Sequence, residues 1–161
     1  MSDGIILQNP SHYPIDSERL IRASRAVLGC HPEYKDGDLS IVLTDSRMLN
    51  VMNLRYAQVD APTDVLSFPA DDAPRECCEA RRYLGDIVIA HDYASAQARA
   101  TAAAISDVLC LLVIHGTLHL LGYDHDTNVA RKKMWAAQDL ALQGMNIDPS
   151  LVESYGKSEN D

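Results

Sequence analysis

The chain has 161 residues, enough for one domain with a hydrophobic core but not for a second large one. Hydrophobic residues make up 47% and charged residues 23%, a globular composition that excludes collagen-like and wholly disordered chains. The net charge of −9 argues against the strongly basic surface that nucleic-acid-binding proteins usually use to neutralise phosphates.

The first residues, 1–4, lack the basic start and long apolar run of a signal peptide, so we expect a cytoplasmic protein. The most apolar stretch, 108–121, is shorter than the roughly 20 residues that span a bilayer, and it is expected to be a buried helix. No Cys-x-x-Cys pair links the four cysteines, Cys30, Cys77, Cys78 and Cys110. We therefore predict no disulfide framework and no membrane association.

Strands and helices alternate in the first half of the chain. Hydrophobic patterning predicts strands over 5–7 and 38–43, and helices over 17–28 and 45–56. The residues expected to cap these two helices are Asp16 or Ser17, and Thr44 or Asp45. Gly29 is expected to end the first of them.

The second half begins with two strands and ends with three helices. The strands are predicted over 64–68, after a turn at 61–63, and over 86–90, with a polar loop at 70–82 between them. The helices are predicted over 94–104, over 107–121, and from an Asn128 cap to Gln143 with Gly144 as terminator.

These elements predict an α/β (α+β) fold in a single domain over residues 1–150. We expect a small mixed four-stranded sheet packed with about five helices, and a metal-binding cleft. Residues 151–161 are expected to form a polar tail that frays.

Three histidines stand out in the segment His-Gly-Thr-Leu-His-Leu-Leu-Gly-Tyr-Asp-His at 115–125. His115 and His119 are one helical turn apart, so their side chains lie on the same face of the predicted helix. Gly122 can adopt the positive φ that ends a helix, which allows His125 to return to the same point. One buried histidine is usually only hydrogen-bonded, but three with this spacing predict a metal site.

Zinc is the metal that this ligand set favours, because three neutral imidazoles without a thiolate suit its tetrahedral preference. One Zn²⁺ held by three protein ligands keeps a fourth position for water, which is typical of catalytic sites. The predicted catalytic group is therefore a zinc-bound water, which ionises near neutral pH.

The spacing of the histidines also equals that of the metzincin proteases, His-Glu-x-x-His-x-x-Gly-x-x-His. Gly116 stands where those enzymes have a glutamate base, a role worth about 10²–10⁴ in rate. Ordinary metzincin chemistry is therefore disfavoured. Two alternatives stay open: a zinc amidohydrolase or peptidase with another base, and a non-catalytic factor that the metal stabilises.

The same residues resemble the YbeY endoribonucleases, whose signature is His-Gly-x-Leu-His-Leu-x-Gly-Tyr-Asp-His. Residues 115–125 match it throughout. Asp-Ala-Pro-Thr-Asp-Val-Leu-Ser-Phe-Pro at 60–69 is similar to the second motif of the family, and Leu-Gly-Asp-Ile-Val-Ile at 84–89 is similar to its third. The resemblance runs from about Leu39 to Met145.

This resemblance implies a zinc-dependent endoribonuclease specific for single-stranded RNA. The implied roles are maturation of the 3′ end of 16S ribosomal RNA, ribosome biogenesis and ribosome quality control. Ribosomal RNA, the ribosome and its associated proteins are the implied partners. One position departs from the family: Ala57 follows Tyr56 where an arginine is usual, which removes a bidentate phosphate donor.

Other residues are candidates for supporting roles. We expect either that a basic cluster replaces the arginine that is absent at position 57 by binding RNA phosphates, or that the activity is weak. The cluster consists of Arg131, Lys132 and Lys133. Arg55 is a poor substitute, because on an α-helix it lies about 200° around the axis from position 57.

Three aspartates are also candidates. Asp124 is a candidate base toward the zinc-bound water. Asp64 and Asp86 are candidates to orient the histidines through their second ring nitrogens.

Overall fold

A computed structural model describes residues 4–57, 64–70 and 82–153. Its single sheet has four strands: β1 (Ile5–Gln8), β2 (Asp38–Thr44), β3 (Val65–Pro69) and β4 (Tyr83–Ala90). They lie in the order β1-β2-β4-β3. The first three strands in this order are parallel, whereas β3 pairs antiparallel with β4 and forms an edge. The predicted mixed four-stranded sheet is therefore confirmed.

Five α-helices of seven or more residues lie in the described ranges. They are α1 (Ser17–Gly29), α2 (Ser46–Met52), α3 (His91–Ala100), α4 (Ile105–Leu120) and α5 (Asn128–Gly144). Residues 150–153 are also helical, and two short segments are a 3₁₀-helix (Pro32–Tyr34) and a π-helix (Asn53–Ala57). None of the helices in these ranges is long and apolar enough to cross a membrane.

Several predicted boundaries were wrong, although the elements themselves are present. α2 ends at Met52, and the chain continues as a π-helix where an α-helix was expected to reach residue 56. Thr127 caps α5 by accepting a hydrogen bond from the Ala130 N–H (3.0 Å), so Asn128 is the first helical residue rather than the cap. α5 does end at Gly144, as predicted, but the residue with left-handed backbone after it is Asn146 (φ 58°).

Asp16 and Asp45 cap α1 and α2, one of the two alternatives predicted in each case. Some predictions fall outside the described residues: the turn at 61–63, residues 71–81 of the polar loop with Cys77 and Cys78, and the tail beyond residue 153. Of the other two cysteines, Cys30 and Cys110 are both free.

The main hydrophobic core lies between one face of the sheet and α1, α4 and α5. α4 is its centre, because 11 of its 16 residues are buried, as expected for a helix that is apolar on all sides. A smaller cluster on the other face joins α2 to the sheet through Leu49, Val88 and Ala90.

α4 lies very close to the sheet at Gly116. A Cβ at this position would lie 2.7 Å from Cγ2 of Ile87 on β4 and 3.2 Å from the Ser67 hydroxyl on β3. That hydroxyl donates a hydrogen bond to the Gly116 carbonyl (3.1 Å). Position 116, directly after His115, therefore requires glycine.

Candidate metal centre

The last two turns of α4 bring two imidazoles together. His115 and His119 are four residues apart, and their Nε2 atoms lie 3.1 Å from each other. The ring centroids are 4.7 Å apart and the planes are nearly perpendicular, at 79°. The predicted convergence of these side chains on one helical face is present in the structure.

The turn after α4 brings the third imidazole to the same point. Gly122 has φ 98°, a left-handed conformation that favours glycine. Its N–H donates to the His119 carbonyl, and the Tyr123 N–H donates to the Leu118 carbonyl, both at 3.0 Å. This pair of bonds is a Schellman motif, which reverses the chain. The His125 ring consequently lies 5.1 Å from the His119 ring, centroid to centroid.

The hydrogen bonds of the cluster leave ring nitrogens free to bind a cation. His119 Nδ1 lies 3.0 Å from the Tyr123 carbonyl, which can only accept, so this nitrogen carries the proton and Nε2 keeps its lone pair. His115 Nδ1 lies 3.0 Å from Oε1 of Gln138, which has the same consequence. The two Nε2 lone pairs then face each other, an arrangement that a shared cation stabilises. One potential ligand atom from each of the three histidines lies within 4.8 Å of the others, so the group fits one metal ion.

Burial keeps the imidazoles of His115 and His119 neutral at neutral pH by lowering their pKa values. Burial, together with the nearby His119, lowers the pKa of His115 to about 4. Burial also lowers the pKa of His119, although its hydrogen bond to the Tyr123 carbonyl acts in the opposite direction. Because a metal binds the deprotonated ring, these pKa shifts favour metal binding.

A second set of contacts fixes Tyr123, whose carbonyl orients His119. His31 Nδ1 lies 2.7 Å from the Val27 carbonyl and therefore carries the proton. Its Nε2 then accepts the hydrogen bond of the Tyr123 hydroxyl at 2.9 Å. The C-terminal end of α1 thus supports the turn that positions the cluster.

The three histidines lie in the wall of a cleft of about 690 Å³. Its other lining residues include Asp64 just before β3, residues of β3 itself, and Trp135 and Gln138 on α5. The Trp135 ring centroid is 5.9 Å from those of both His115 and His125. A substrate in this cleft therefore has direct access to the histidines.

Comparisons with known proteins agree with this arrangement. The family described as "Endoribonuclease YbeY" matches residues 7–146. A protein named "Endoribonuclease YbeY" from Mycobacterium ulcerans is 36% identical, over 98% of this chain and 90% of its own length. The chain belongs to the YbeY family. The protein of the same name from Mycolicibacterium smegmatis is 35% identical, over 94% of this chain and 86% of its own length.

A solved structure shows the same fold. A Thermotoga maritima protein determined in solution superposes with a TM-score of 0.54 at 22% identity, over 88% of this chain and 91% of that one. The YbeY resemblance inferred from residues 60–69, 84–89 and 115–125 is confirmed by the family match.

In this YbeY-family chain the structure contradicts the prediction that Asp86 orients one of the histidines. β4 begins at Tyr83, and alternation along the strand turns Ile87 toward α4 and Asp86 toward the opposite face. There Asp86 accepts a hydrogen bond from the Tyr83 hydroxyl. Asp86 therefore cannot reach the histidines, and the partners observed at His115 and His119 are Gln138 and the Tyr123 carbonyl.

The other two predicted aspartates both line the cleft. Asp64 is 3% exposed, and its backbone carbonyl accepts from the Ala90 N–H at 2.8 Å. Asp124 is exposed, and its carboxylate accepts from the His125 N–H at 2.7 Å. That bond lowers the pKa of Asp124, which makes it a weaker base than an ordinary carboxylate.

The predicted basic cluster lies in the first turns of α5, where Arg131, Lys132 and Lys133 are exposed. Arg131 donates a hydrogen bond to the Asn128 side chain at 3.2 Å. Ala57, at the position of the family arginine, ends the π-helix, and the exposed Arg55 lies 5.6 Å from the centre of the Tyr56 ring.

Sequence reasoning missed Gln138, His31 and Trp135. Gln138 and Trp135 reach the site because α5 packs against α4, and His31 reaches it from the segment that follows α1. One available signal was the spacing of Trp135 and Gln138, which lie three residues apart on one face of a predicted helix.

Proposed function

We propose that this chain is a metal-dependent endoribonuclease that cleaves single-stranded RNA, with one zinc ion held by His115, His119 and His125. The observation that carries the proposal is the convergence of the three imidazoles, two of which have their second nitrogen already bonded. A site built in this way favours a metal that prefers nitrogen ligands and a tetrahedral arrangement.

Bound zinc supplies Lewis-acid activation of water and of a phosphate oxygen. The protein supplies the geometry. Gln138 and the Tyr123 carbonyl fix the ring orientations of His115 and His119, so that little reorganisation is needed when the site fills. The open cleft beside the rings accommodates an RNA strand, whereas a closed structural site has no such space.

Proton transfer requires a group within the cleft. Asp64 and Asp124 both line it, and each can accept a proton from a water held between the histidines and the substrate. The hydrogen bond from the His125 N–H lowers the pKa of Asp124, which makes it a weaker base than an ordinary carboxylate. We therefore expect Asp124→Asn to have only a small effect on the cleavage rate.

Substrate binding has to overcome the acidity of the chain. We infer that Arg131, Lys132 and Lys133 provide cations for phosphates in place of the arginine that is absent at position 57. Recruitment by the ribosome or an associated protein adds affinity that the charge of −9 does not provide. Processing of 16S ribosomal RNA at its 3′ end in the cytoplasm, with ribosome biogenesis and quality control, is the proposed cellular role.

Cleavage of a labelled single-stranded RNA tests the proposal. The zinc-loaded protein is expected to cut it and to leave a duplex of the same sequence intact, and chelation is expected to abolish cleavage until zinc is restored. His119→Ala should lose activity, whereas His12→Asn, a change at an exposed histidine outside the cluster, should retain it. Full cleavage by His119→Ala would refute the mechanism.

The same preparations address the two alternatives. A peptidase of metzincin type would need a glutamate at position 116, where even a Cβ lies 2.7 Å from Ile87. Turnover of peptides without RNA cleavage would nevertheless favour the peptidase. Stable zinc binding without either reaction would favour the non-catalytic factor.

Ala57→Arg tests whether the missing arginine limits activity. If the basic cluster on α5 is a poor replacement, the variant should cleave RNA faster than the wild type, because a bidentate donor is restored. An unchanged rate would mean that the absent arginine is not limiting.

A further inference from the structure

Trp135 is the one tryptophan in the sequence, and it lies in the wall of the cleft. Its indole is tilted by 60° to the His115 ring and by 58° to the His125 ring, at 5.9 Å from each. The side chain is only partly buried against the core. The indole therefore contacts the histidine cluster and also presents surface to whatever occupies the cleft.

The residues around Trp135 form a stripe along α5. Gln138, three residues later, is 1% exposed and contacts His115. Arg131, four residues earlier, is exposed and lies one turn nearer the start of the helix on the same side. Lys133 lies about 200° around the axis from Trp135 and does not share this side. The stripe thus runs from a cation, through an aromatic ring, to the histidine cluster.

Packing alone does not account for an indole at this place. Met134 and Leu142 are fully buried and already attach α5 to the core. A partly exposed indole in a cleft is well suited to stacking with a nucleobase, a contact that single-strand-binding proteins use without sequence preference. Such a contact gains affinity without positive charge, which matters for a chain with a net charge of −9.

We propose that Trp135 stacks on the nucleobase next to the scissile phosphate and that Arg131 binds a neighbouring phosphate. This inference rests on the proposed ribonuclease function, because its ligand is a strand of the proposed substrate. The two residues form a nucleotide subsite that determines where the strand lies relative to the histidines. The subsite requires an unstacked base, so it favours single strands over duplexes.

Fluorescence-anisotropy titrations with the zinc-loaded protein test the subsite, because a fluorophore on the probe reports binding by variants that lack the one tryptophan as well as by the wild type. The probe is a single-stranded oligoribonucleotide with 2′-O-methyl groups, checked on a gel to be intact afterwards. A second set of probes has one abasic nucleotide at each position in turn. The variants are Trp135→Leu, which keeps an apolar side chain, and Trp135→Phe, which keeps an aromatic ring.

Trp135→Leu should weaken binding of the intact probe by about 5- to 150-fold, equivalent to ~1–3 kcal/mol, and Trp135→Phe should restore most of it. One abasic position should weaken binding to the wild type by a similar factor but leave binding to Trp135→Leu unchanged. KM for RNA cleavage should rise in Trp135→Leu more than kcat falls, with the zinc content unaltered.

Arg131→Gln should reduce the slope of log affinity against log salt by about 0.7, as expected for one phosphate of a single strand. Arg47→Gln, at an exposed arginine of α2 on the other face of the sheet, is the matched control and should leave the slope unchanged.

Two results would overturn the inference. The first is equal affinity of the wild type and Trp135→Leu for the intact probe. The second is that Trp135→Leu loses the same affinity for every abasic probe, relative to the intact probe. The second result would indicate that Trp135 only supports the histidine cluster. The proposed function fails separately if the zinc-loaded wild type cuts no RNA, whatever the titrations give.

Discussion

Gly116→Ala perturbs the closest approach of α4 to the sheet. The added Cβ would lie 2.7 Å from Ile87 Cγ2, a methyl group that cannot move easily because it belongs to a β-branched side chain in a buried strand. Overpacking of this kind costs about 1–3 kcal/mol. Replacing glycine with alanine in a helix gains roughly 0.8–1.0 kcal/mol. The expected net loss of stability is about 1 kcal/mol.

Gly144→Ala is the matched control, because Gly144 is the last residue of α5 and nothing lies within 4 Å of a Cβ there. Urea denaturation of both variants in excess chelator measures the free energy of unfolding without a contribution from metal binding. Gly116→Ala should be less stable than Gly144→Ala by about 1–3 kcal/mol. Equal stability of the two variants would refute the steric argument.

A double-mutant cycle with Ile87→Ala makes the test more specific. In the wild-type background, Ile87→Ala should cost about 2–5 kcal/mol because it creates a cavity. In the Gly116→Ala background the new methyl group occupies part of that cavity, so the cost should be smaller by about 0.5–3 kcal/mol. Additive costs would show that the two positions are not in contact.

Three further predictions concern the site, the pH dependence and the thiols. Gln138→Leu should weaken zinc binding about 10- to 100-fold in a competition titration with a chelating dye, whereas Gln143→Leu, at an exposed position, should not. Burial lowers the pKa of His91, so the folded state binds fewer protons than the unfolded chain, and the free energy of unfolding should fall as pH falls below about 6.5. Urea titrations across this range should show a smaller fall for His91→Gln, and an equal fall would contradict the burial argument. Burial raises the pKa of the Cys110 thiol to about 11, whereas Cys30 is exposed. A thiol-reactive dye should therefore label one fewer fast-reacting cysteine in Cys30→Ser than in the wild type, and the same number in Cys110→Ser.

His91 owes its burial to a contact between distant segments of the chain. It is the first residue of α3, but it is buried, makes no capping hydrogen bond and stacks on Tyr13 at 4.3 Å. The partner from a loop before α1 is distant in the sequence, which is why local patterning did not reveal it.

The sequence was sufficient where the geometry is local. His115, His119 and Gly122 belong to one helix and its terminal turn, so spacing and the conformational freedom of glycine predict their arrangement. The strand order, by contrast, depends on pairings between segments far apart. Asp86 was misplaced because β4 was expected to begin there rather than at Tyr83, and the alternation of its faces was not considered.

The groups that orient the histidines were not predictable in the same way. Gln138 reaches His115 because α5 packs against α4, and Tyr123 is held by His31 because α1 also packs there. These contacts depend on how three helices share one core, a property that no short segment encodes.

Three imidazole nitrogens around one metal ion are the central feature of the proposed site. X-ray absorption spectroscopy of the zinc-loaded protein tests this directly, because Zn–N distances are about 2.0–2.1 Å and Zn–S distances about 2.3 Å. We expect three histidine ligands in the wild type, two in His125→Ala and no sulfur in either. A sulfur ligand, or a spectrum unchanged by His119→Ala, would contradict the assignment of the metal to these histidines.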